Sequence, residues 1–374
     1  MRPLILATVL FLAACGEADT ETADRADIVP GQPLPASVVQ SLLDRHRVPG
    51  VSLAVVHGAR IDWARGYGVR ERGSPDPVDT TTLFQAASIS KPVSAAVALR
   101  MVAAGELHLD ADVNDALVSW RVPPSALTEG SPVTLRGLLS HSAGLPMHGV
   151  PEFETDDSLP TLVEILDGTW VPGAEKVRPI RRPGVAYEYS GGGYIVLQLL
   201  LSDVAQRPFA PLARELVLDP AGMASSTFEQ PLPDGLRSRA AVGHDARGRP
   251  MPGSWHVLPE QAAGGLWTTP RDLASFLLAI WRSHQGRSPA LLPQPLAREM
   301  LTRQLGDMGL GLALPGAGVP RFQHGGGNGG YRCHMVLSIA PPPSGFVIMT
   351  NGDSGEPLIW DLFDLIAEAY GWEH

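Results

Sequence analysis

The two ends of this chain carry matching strand pairs and the middle does not, which constrains the fold more than any other feature. "GVSLAVV" and "RIDWARGYGV" flank His57-Gly58 as the two strands of a hairpin, and "CHMVLSIA" and "GFVIMTN" flank the turn "PPPS" near the other end. A helical pattern brackets each pair, "PASVVQSLLDRHRV" ahead of the first and the amphipathic "PLIWDLFDLIAEAYGW" after the second. Long helical patterns broken by Pro and Gly loops lie between. The arrangement predicts a sheet built from both chain ends and covered by the terminal helices, with a mostly helical region inserted.

At 374 residues the chain can bury a large core as one big domain or two. Its 39 acidic and 29 basic side chains give a net charge of -10, and no stretch is rich in Lys and Arg, which argues against nucleic acid or an anionic membrane surface as partner. The N-terminus differs in kind. "MRPLILATVLFLAAC" has one positive charge, at Arg2, and an apolar run too short to span a bilayer, as in a signal peptide. It ends in Leu12-Ala13-Ala14-Cys15, similar to a bacterial lipoprotein cleavage box, so residues 1–14 are expected to be a signal peptide and Cys15 a lipidation site. The acidic "GEADTETADRAD" that follows cannot bury enough apolar surface to fold, and 15–33 is read as a flexible tether to a domain over 34–374. The expected location is the cell envelope, with the membrane engaged through the lipid alone. Cys333 is then the remaining thiol, which leaves no intramolecular disulfide and no Cys-based metal site.

The polar cluster in "FQAASISKPV" raises the question of chemistry. Pro92 allows a helix to begin near Ser88, and the Ala- and Val-rich run that follows stops at Gly105, so Ser88 and Lys91 share one face of the first turn of a buried helix. A serine hydroxyl needs a base to become a nucleophile, and burial beside a helix N-terminus lowers a lysine pKa enough to make it one. The same turn supplies the Ser88 N–H for oxyanion stabilisation. Taken alone, Ser88 as an N-cap and Lys91 as a solvated first-turn residue fit the pattern too. Two further segments bear on the choice. "YEYSGGGYIVLQLLL" places Tyr189 and Ser190 on a tight loop before an apolar helix, and "FQHGGGNGGYRCHMVLSIA" starts a strand with His324, Gly325, Gly326 and Gly327, where bare backbone leaves room for a ligand.

With these segments in order, the sequence resembles the serine β-lactamase and penicillin-binding-protein superfamily, in the branch that groups cephalosporinase-type enzymes with family VIII esterases and D-aminopeptidases. Ser88-Ile89-Ser90-Lys91 matches S-x-x-K; Tyr189-Ser190-Gly191 stands where the branch has Tyr-x-Asn; His324-Gly325-Gly326 stands where it has Lys-Thr-Gly or His-x-Gly. "VTLRGLLSHSAGLP", "AAGGLWTTPRDLASFLLA" and "VIMTNGDSG" fall in family order. The resemblance implies an α/β (α+β) fold with an antiparallel sheet flanked by helices and an all-helical subdomain, the site lying in the cleft between. It also implies Ser88 as acylated nucleophile, Lys91 as its activating partner, Tyr189 as proton relay, the N–H groups of Ser88 and Gly327 as oxyanion hole, and His324 lining the cleft. Two departures weaken a β-lactamase reading: Gly191 lacks the Asn amide, and His324, mostly neutral at pH 7, replaces a fixed positive charge. An esterase or peptidase-like hydrolase acting on a small ester, amide or peptide is therefore expected. A β-lactamase or D-alanyl-D-alanine carboxypeptidase is the alternative, and a penicillin-binding sensor that acylates without turnover is a third.

Other motifs are read as structural. His141-Ser142 is expected in a turn near the cleft and His244-Asp245 in a surface turn, while "GGGNGG" lacks the Gly-Lys-Ser/Thr of a phosphate loop. No metal-ligand spacing occurs, and no cofactor is expected.

Overall fold

A computed structural model describes residues 28–287 and 291–372; the expected signal peptide, Cys15 and most of the expected tether lie outside the described residues. Strands β1 (Gly50–His57), β2 (Arg60–Gly68), β5 (Arg321–Asn328), β6 (Tyr331–Ser338) and β7 (Ser344–Thr350) form one sheet in the order β2-β1-β7-β6-β5. Every neighbouring pair is antiparallel, and the chain ends meet where Leu53 pairs with Ile348. A short second sheet pairs β3 (Phe84–Gln85) with β4 (Trp267–Thr268). The expected antiparallel sheet from both chain ends is what the chain forms.

Alternation along the central strands separates two cores. Val51, Leu53 and Val55 of β1, with Phe346 and Ile348 of β7, pack on one face against α1 (Ala36–His46) and α11 (Gly355–Tyr370). Ala54, Val56, Val347 and Met349 point the other way, into the larger core shared with the inserted region. That region holds α2 (Ser90–Ala103), α3 (Leu135–Leu139), α4 (Leu162–Asp167), α5 (Gly191–Ala205), α6 (Phe209–Ala213), α7 (Asp234–Arg237), α8 (Gln261–Gly264), α9 (Pro270–His284) and α10 (Gln294–Met300). β1 reads as a continuous apolar run because both of its faces are covered. α9 begins where Thr269 accepts the Asp272 N–H (3.1 Å) with Pro270 in the first turn, and α11 ends at Gly371 in the left-handed region. Residues 28–33, within the stretch read as tether, contact the domain: the Gly31 N–H donates to the Tyr370 hydroxyl at 2.8 Å.

Three local readings change. The helix after the nucleophile begins at Ser90, with Ala87–Ile89 a separate 3-10 turn, so Ser88 is no N-cap. The run His324–Gly327 lies inside β5, which starts at Arg321. His244 is fully buried, its Nδ1 donating to the Asn351 carbonyl (2.9 Å) and its Nε2 accepting the Arg72 N–H (3.1 Å), so of the pair only Asp245 reaches solvent.

Candidate active site

The nucleophile turn is held by backbone and serine hydrogen bonds to a segment far away in sequence. Ala86 donates to the Leu266 carbonyl (2.8 Å), the Leu266 N–H donates to Ser90 Oγ (2.9 Å), and Ser94 Oγ donates to the Ala262 carbonyl (3.1 Å). Residues 262–268 thus clamp the start of α2. Immediately before Ser88, Ala87 takes φ +48°, a left-handed conformation that costs a non-glycine residue about 1–3 kcal/mol. The left-handed residue thus opens the 3-10 turn that carries Ser88.

Within this frame Lys91 Nζ lies 3.1 Å from Ser88 Oγ and donates to the Ala263 carbonyl at 2.7 Å. Lys91 is buried with no carboxylate as partner in these bonds, and burial pushes its pKa from 10.5 down to about 7. The rings of Tyr189 and Tyr194 face its ammonium, with centroids at 5.0 and 5.7 Å. Tyr189 lines the same cavity as Ser88, and burial raises its phenol to about 12. Tyr189, about a hundred residues from Ser88 and Lys91 in sequence, therefore lies beside them.

The segment after Tyr189 is structural. Ser190 caps α5, accepting the Gly193 N–H (2.8 Å) and donating to the Pro146 carbonyl (2.6 Å). Gly191 faces the 146–150 segment: a Cβ there would lie 2.9 Å from Val150 Cγ1 and 3.3 Å from two backbone carbonyl oxygens. A side chain at 191 would therefore require Val150 and the 148–149 backbone to shift. His141, at φ +55°, stacks on Tyr189 with centroids 4.3 Å apart, and its Nδ1 accepts the Ser190 N–H (3.1 Å). Burial holds its pKa well below the ordinary value, so it supports the tyrosine as a neutral ring. Ser142 is hydrogen-bonded to Ser140 (2.8 Å) in the same turn.

β5 forms the opposite wall. His324 Nδ1 donates to the Gly325 carbonyl (2.6 Å), which leaves Nε2 as an acceptor, and burial and Lys91 push its pKa down to about 3. It presents a lone pair to the cleft and no charge. Gly326 packs on the nucleophile turn: a Cβ there would collide with the Ala86 carbonyl oxygen and come within 2.7 Å of Cys333 Sγ. Cys333 is buried, donating to the Ala86 carbonyl (3.1 Å), with its pKa raised by burial. Asn328 Nδ2 donates to Gln85 Oε1 (2.8 Å), tying the end of β5 to β3. Gly325 and Gly327 line the same cavity as Ser88, Tyr189 and His324. Among the described residues no cluster of His, Cys, Asp or Glu could hold a metal ion.

Sequence reasoning missed the Ala263 carbonyl, His141 as ring support, and the Gln85–Asn328 tie. It also missed Tyr187 and His148, which line the cavity. The spacing around Tyr189 could have suggested its aromatic neighbours; a backbone acceptor leaves no such mark.

A two-layer fold with Ser88, Lys91 and Tyr189 at the junction of sheet and helical region defines a class of active-site serine proteins, and the comparisons agree. The chain belongs to the Beta-lactamase family, whose model matches residues 36–370. Penicillin-binding protein 4 of Amycolatopsis lactamdurans is 28% identical to it over 358 residues, covering 88% of each chain. Esterase EstB of Burkholderia gladioli is 31% identical over 223 residues, covering 57% of this chain and 54% of its own length, so the match spans about half of that relative. Among solved structures, EstCE1, a hydrolase with promiscuous acyltransferase activity, has a TM-score of 0.72 at 22% identity, covering 94% of this chain and 100% of its own, a likeness of fold.

Proposed function

We propose that this chain is a serine hydrolase that cleaves carboxylic esters through an acyl-Ser88 intermediate. The observation that carries the reading is a lysine, buried to a pKa of about 7, with Nζ 3.1 Å from a serine hydroxyl and 5.0 Å from the centre of the Tyr189 ring. Neutral Lys91 takes the Ser88 proton as Oγ bonds to the ester carbonyl carbon, and the N–H groups of Ser88 and Gly327 receive the oxyanion. As the C–O bond to the alcohol breaks, Tyr189 gives its proton to the departing oxygen and regains one from the Lys91 ammonium. Water then adds to the acyl carbonyl, losing a proton to the same pair; Ser88 departs with a proton and the acid is released.

Two features support ester over β-lactam as substrate. His324 stays neutral, so the charge-assisted hydrogen bond to a substrate carboxylate, worth roughly 1.5–3 kcal/mol, is missing. Gly191 supplies no side-chain amide to orient a substrate amide. The relation to a penicillin-binding protein over 88% of the chain favours a second reading, a β-lactamase or D-alanyl-D-alanine carboxypeptidase. A fluorophosphonate probe is expected to label the wild type and not Ser88→Ala. Phenyl acetate is expected to turn over faster than a chromogenic cephalosporin at neutral pH. Labelling that survives Ser88→Ala removes the mechanism, and faster cephalosporin turnover reverses the preference.

The envelope location is proposed from Cys15 and its preceding apolar run. Among the described residues no helix is long and apolar enough to cross a membrane. Lipidated wild type is expected with membranes, and Cys15→Ala in the soluble or uncleaved fraction.

A further inference from the structure

The cavity that holds Ser88 runs around the edge strand β5, past Gly325–Gly327, to the other face of the sheet. Along its first half β5 is covered, since Gln323 and Ala313 exchange both backbone hydrogen bonds at 3.0 Å. Past His324 the wall is Gly325–Gly327, with the His334 and Arg332 side chains against Gly325 and Gly327, and the cavity of about 550 Å3 continues around it past Glu356 to Ile359 and Trp360. There it meets a groove of about 400 Å3 between β6 and α11, bordered by Val336, Phe346, Trp360, Phe363 and Trp372. Gln323, His334 and Trp360 border both spaces, with the His334 and Trp360 rings 4.8 Å apart, so the two adjoin.

The groove's character follows from its lining. Arg321 is the one Lys, Arg, Asp or Glu side chain bordering it, and burial keeps His334 neutral. Among the described residues the most exposed Phe, Tyr and Trp side chains are Tyr187 at 46% and Trp360 at 40%, and both line the cavity that holds Ser88. Exposed aromatics gathered at one concavity mark a ligand surface. Its orientation to the chemistry follows from Tyr189, the proton donor to the departing alcohol: its ring centroid is 6.5 Å from that of His324, the residue at which the glycine opening begins.

We propose that this groove is a subsite for the alcohol part of the substrate, and that the enzyme cleaves esters of long, uncharged alkyl alcohols. The inference rests on the ester-hydrolase reading above. The departing chain leaves Ser88 on the His324 side, crosses Gly325–Gly327 and lies against Trp360 and Phe346.

Acetate esters of ethanol, butanol, octanol and decanol are compared with ethyl esters of the matching acids, using the full chain. Each methylene on the alcohol side is expected to raise kcat/KM about two- to fourfold, chiefly through KM, with no comparable gain on the acyl side. Trp360→Ala is expected to flatten that dependence and Trp360→Phe to keep most of it. A flat alcohol series, a gain carried by the acyl side, or a slope unchanged in Trp360→Ala each overturns the proposal. If phenyl acetate is hydrolysed while the alcohol series is flat, the subsite falls and the hydrolase reading stands. Binding to Ser88→Ala, by calorimetry, tests the subsite without turnover: octyl acetate is expected to bind at least about tenfold tighter than ethyl acetate. Equal binding overturns the subsite even if no ester is cleaved.

Discussion

Lys91 is the residue on which chemistry and stability pull in opposite directions. Its pKa falls from 10.5 to about 7 on burial, so between those values the unfolded chain binds the proton more tightly than the folded one. Stability therefore rises with pH across that window, and below about pH 7 the full penalty of a buried ammonium applies. Lys91→Met is expected to raise the midpoint of thermal unfolding at pH 7 while lowering kcat/KM by roughly three orders of magnitude or more. A lower midpoint would show that the Ala263 and Ser88 bonds outweigh desolvation. The same titration sets the acid limb of activity: kcat/KM for phenyl acetate is expected to rise about tenfold per pH unit below an inflection near 7, then level off. Tyr189, near 12, stays protonated and His324, near 3, stays neutral over that range, so neither adds an inflection. The S-x-x-K spacing made Ser88 and Lys91 legible in the sequence because a helical turn fixes that geometry locally. The Ala263 carbonyl that completes the lysine's environment is 172 residues away and carries no side-chain signal.

Where elements meet, glycine decides how closely they can pack. Gly326 brings β5 against the nucleophile turn, and a methyl group at 326 would strike the Ala86 carbonyl oxygen two residues before Ser88. Gly326→Ala is expected to leave the circular dichroism spectrum intact and slow fluorophosphonate labelling by at least about a hundredfold, because the turn must move by a fraction of an ångström. Gly191 is a different case. Resemblance alone makes it a missing Asn, and restoring the amide would be the natural experiment; the structure puts Val150 and the 148–149 carbonyls in the way. Gly191→Asn is therefore expected to lower the thermal midpoint and bring no gain in cephalosporin hydrolysis. A gain without destabilisation would mean that the 146–150 segment yields easily. The sequence marked both glycines as functional. It could not distinguish the one that admits a ligand-bearing strand from the one that packs against a loop, since the loop comes from elsewhere in the chain.

At the scale of the molecule, a sheet made from both chain ends separates what stabilises the fold from what performs the reaction. Terminal strand pairs and their amphipathic helices were readable because each is local and strongly periodic; the sheet order and the 3-10 turn at Ala87–Ile89 depend on long-range packing and were not. Ser88 and Lys91 belong to the side of the sheet that faces the large core, and Tyr189 and His324 meet them there. The opposite face is covered by α1 and α11, whose Leu43, Leu358, Leu362 and Ile366 are buried against Leu53 and Ile348. Leu362 is fully buried in this second core and borders neither the Ser88 cavity nor the groove behind it. Leu362→Ala removes packing from α11 and leaves a cavity, a change that costs about 2–5 kcal/mol in comparable cores. Because β6 and β7 remain paired through their backbone, the geometry around Ser88 should persist for as long as the domain is folded. The expected outcome is a thermal midpoint lowered by several degrees, with kcat/KM for phenyl acetate within about twofold of wild type well below the transition. A large loss of kcat/KM in protein that remains fully folded by circular dichroism would mean that packing of α11 is transmitted across the sheet to β5, and that the two faces are not independent.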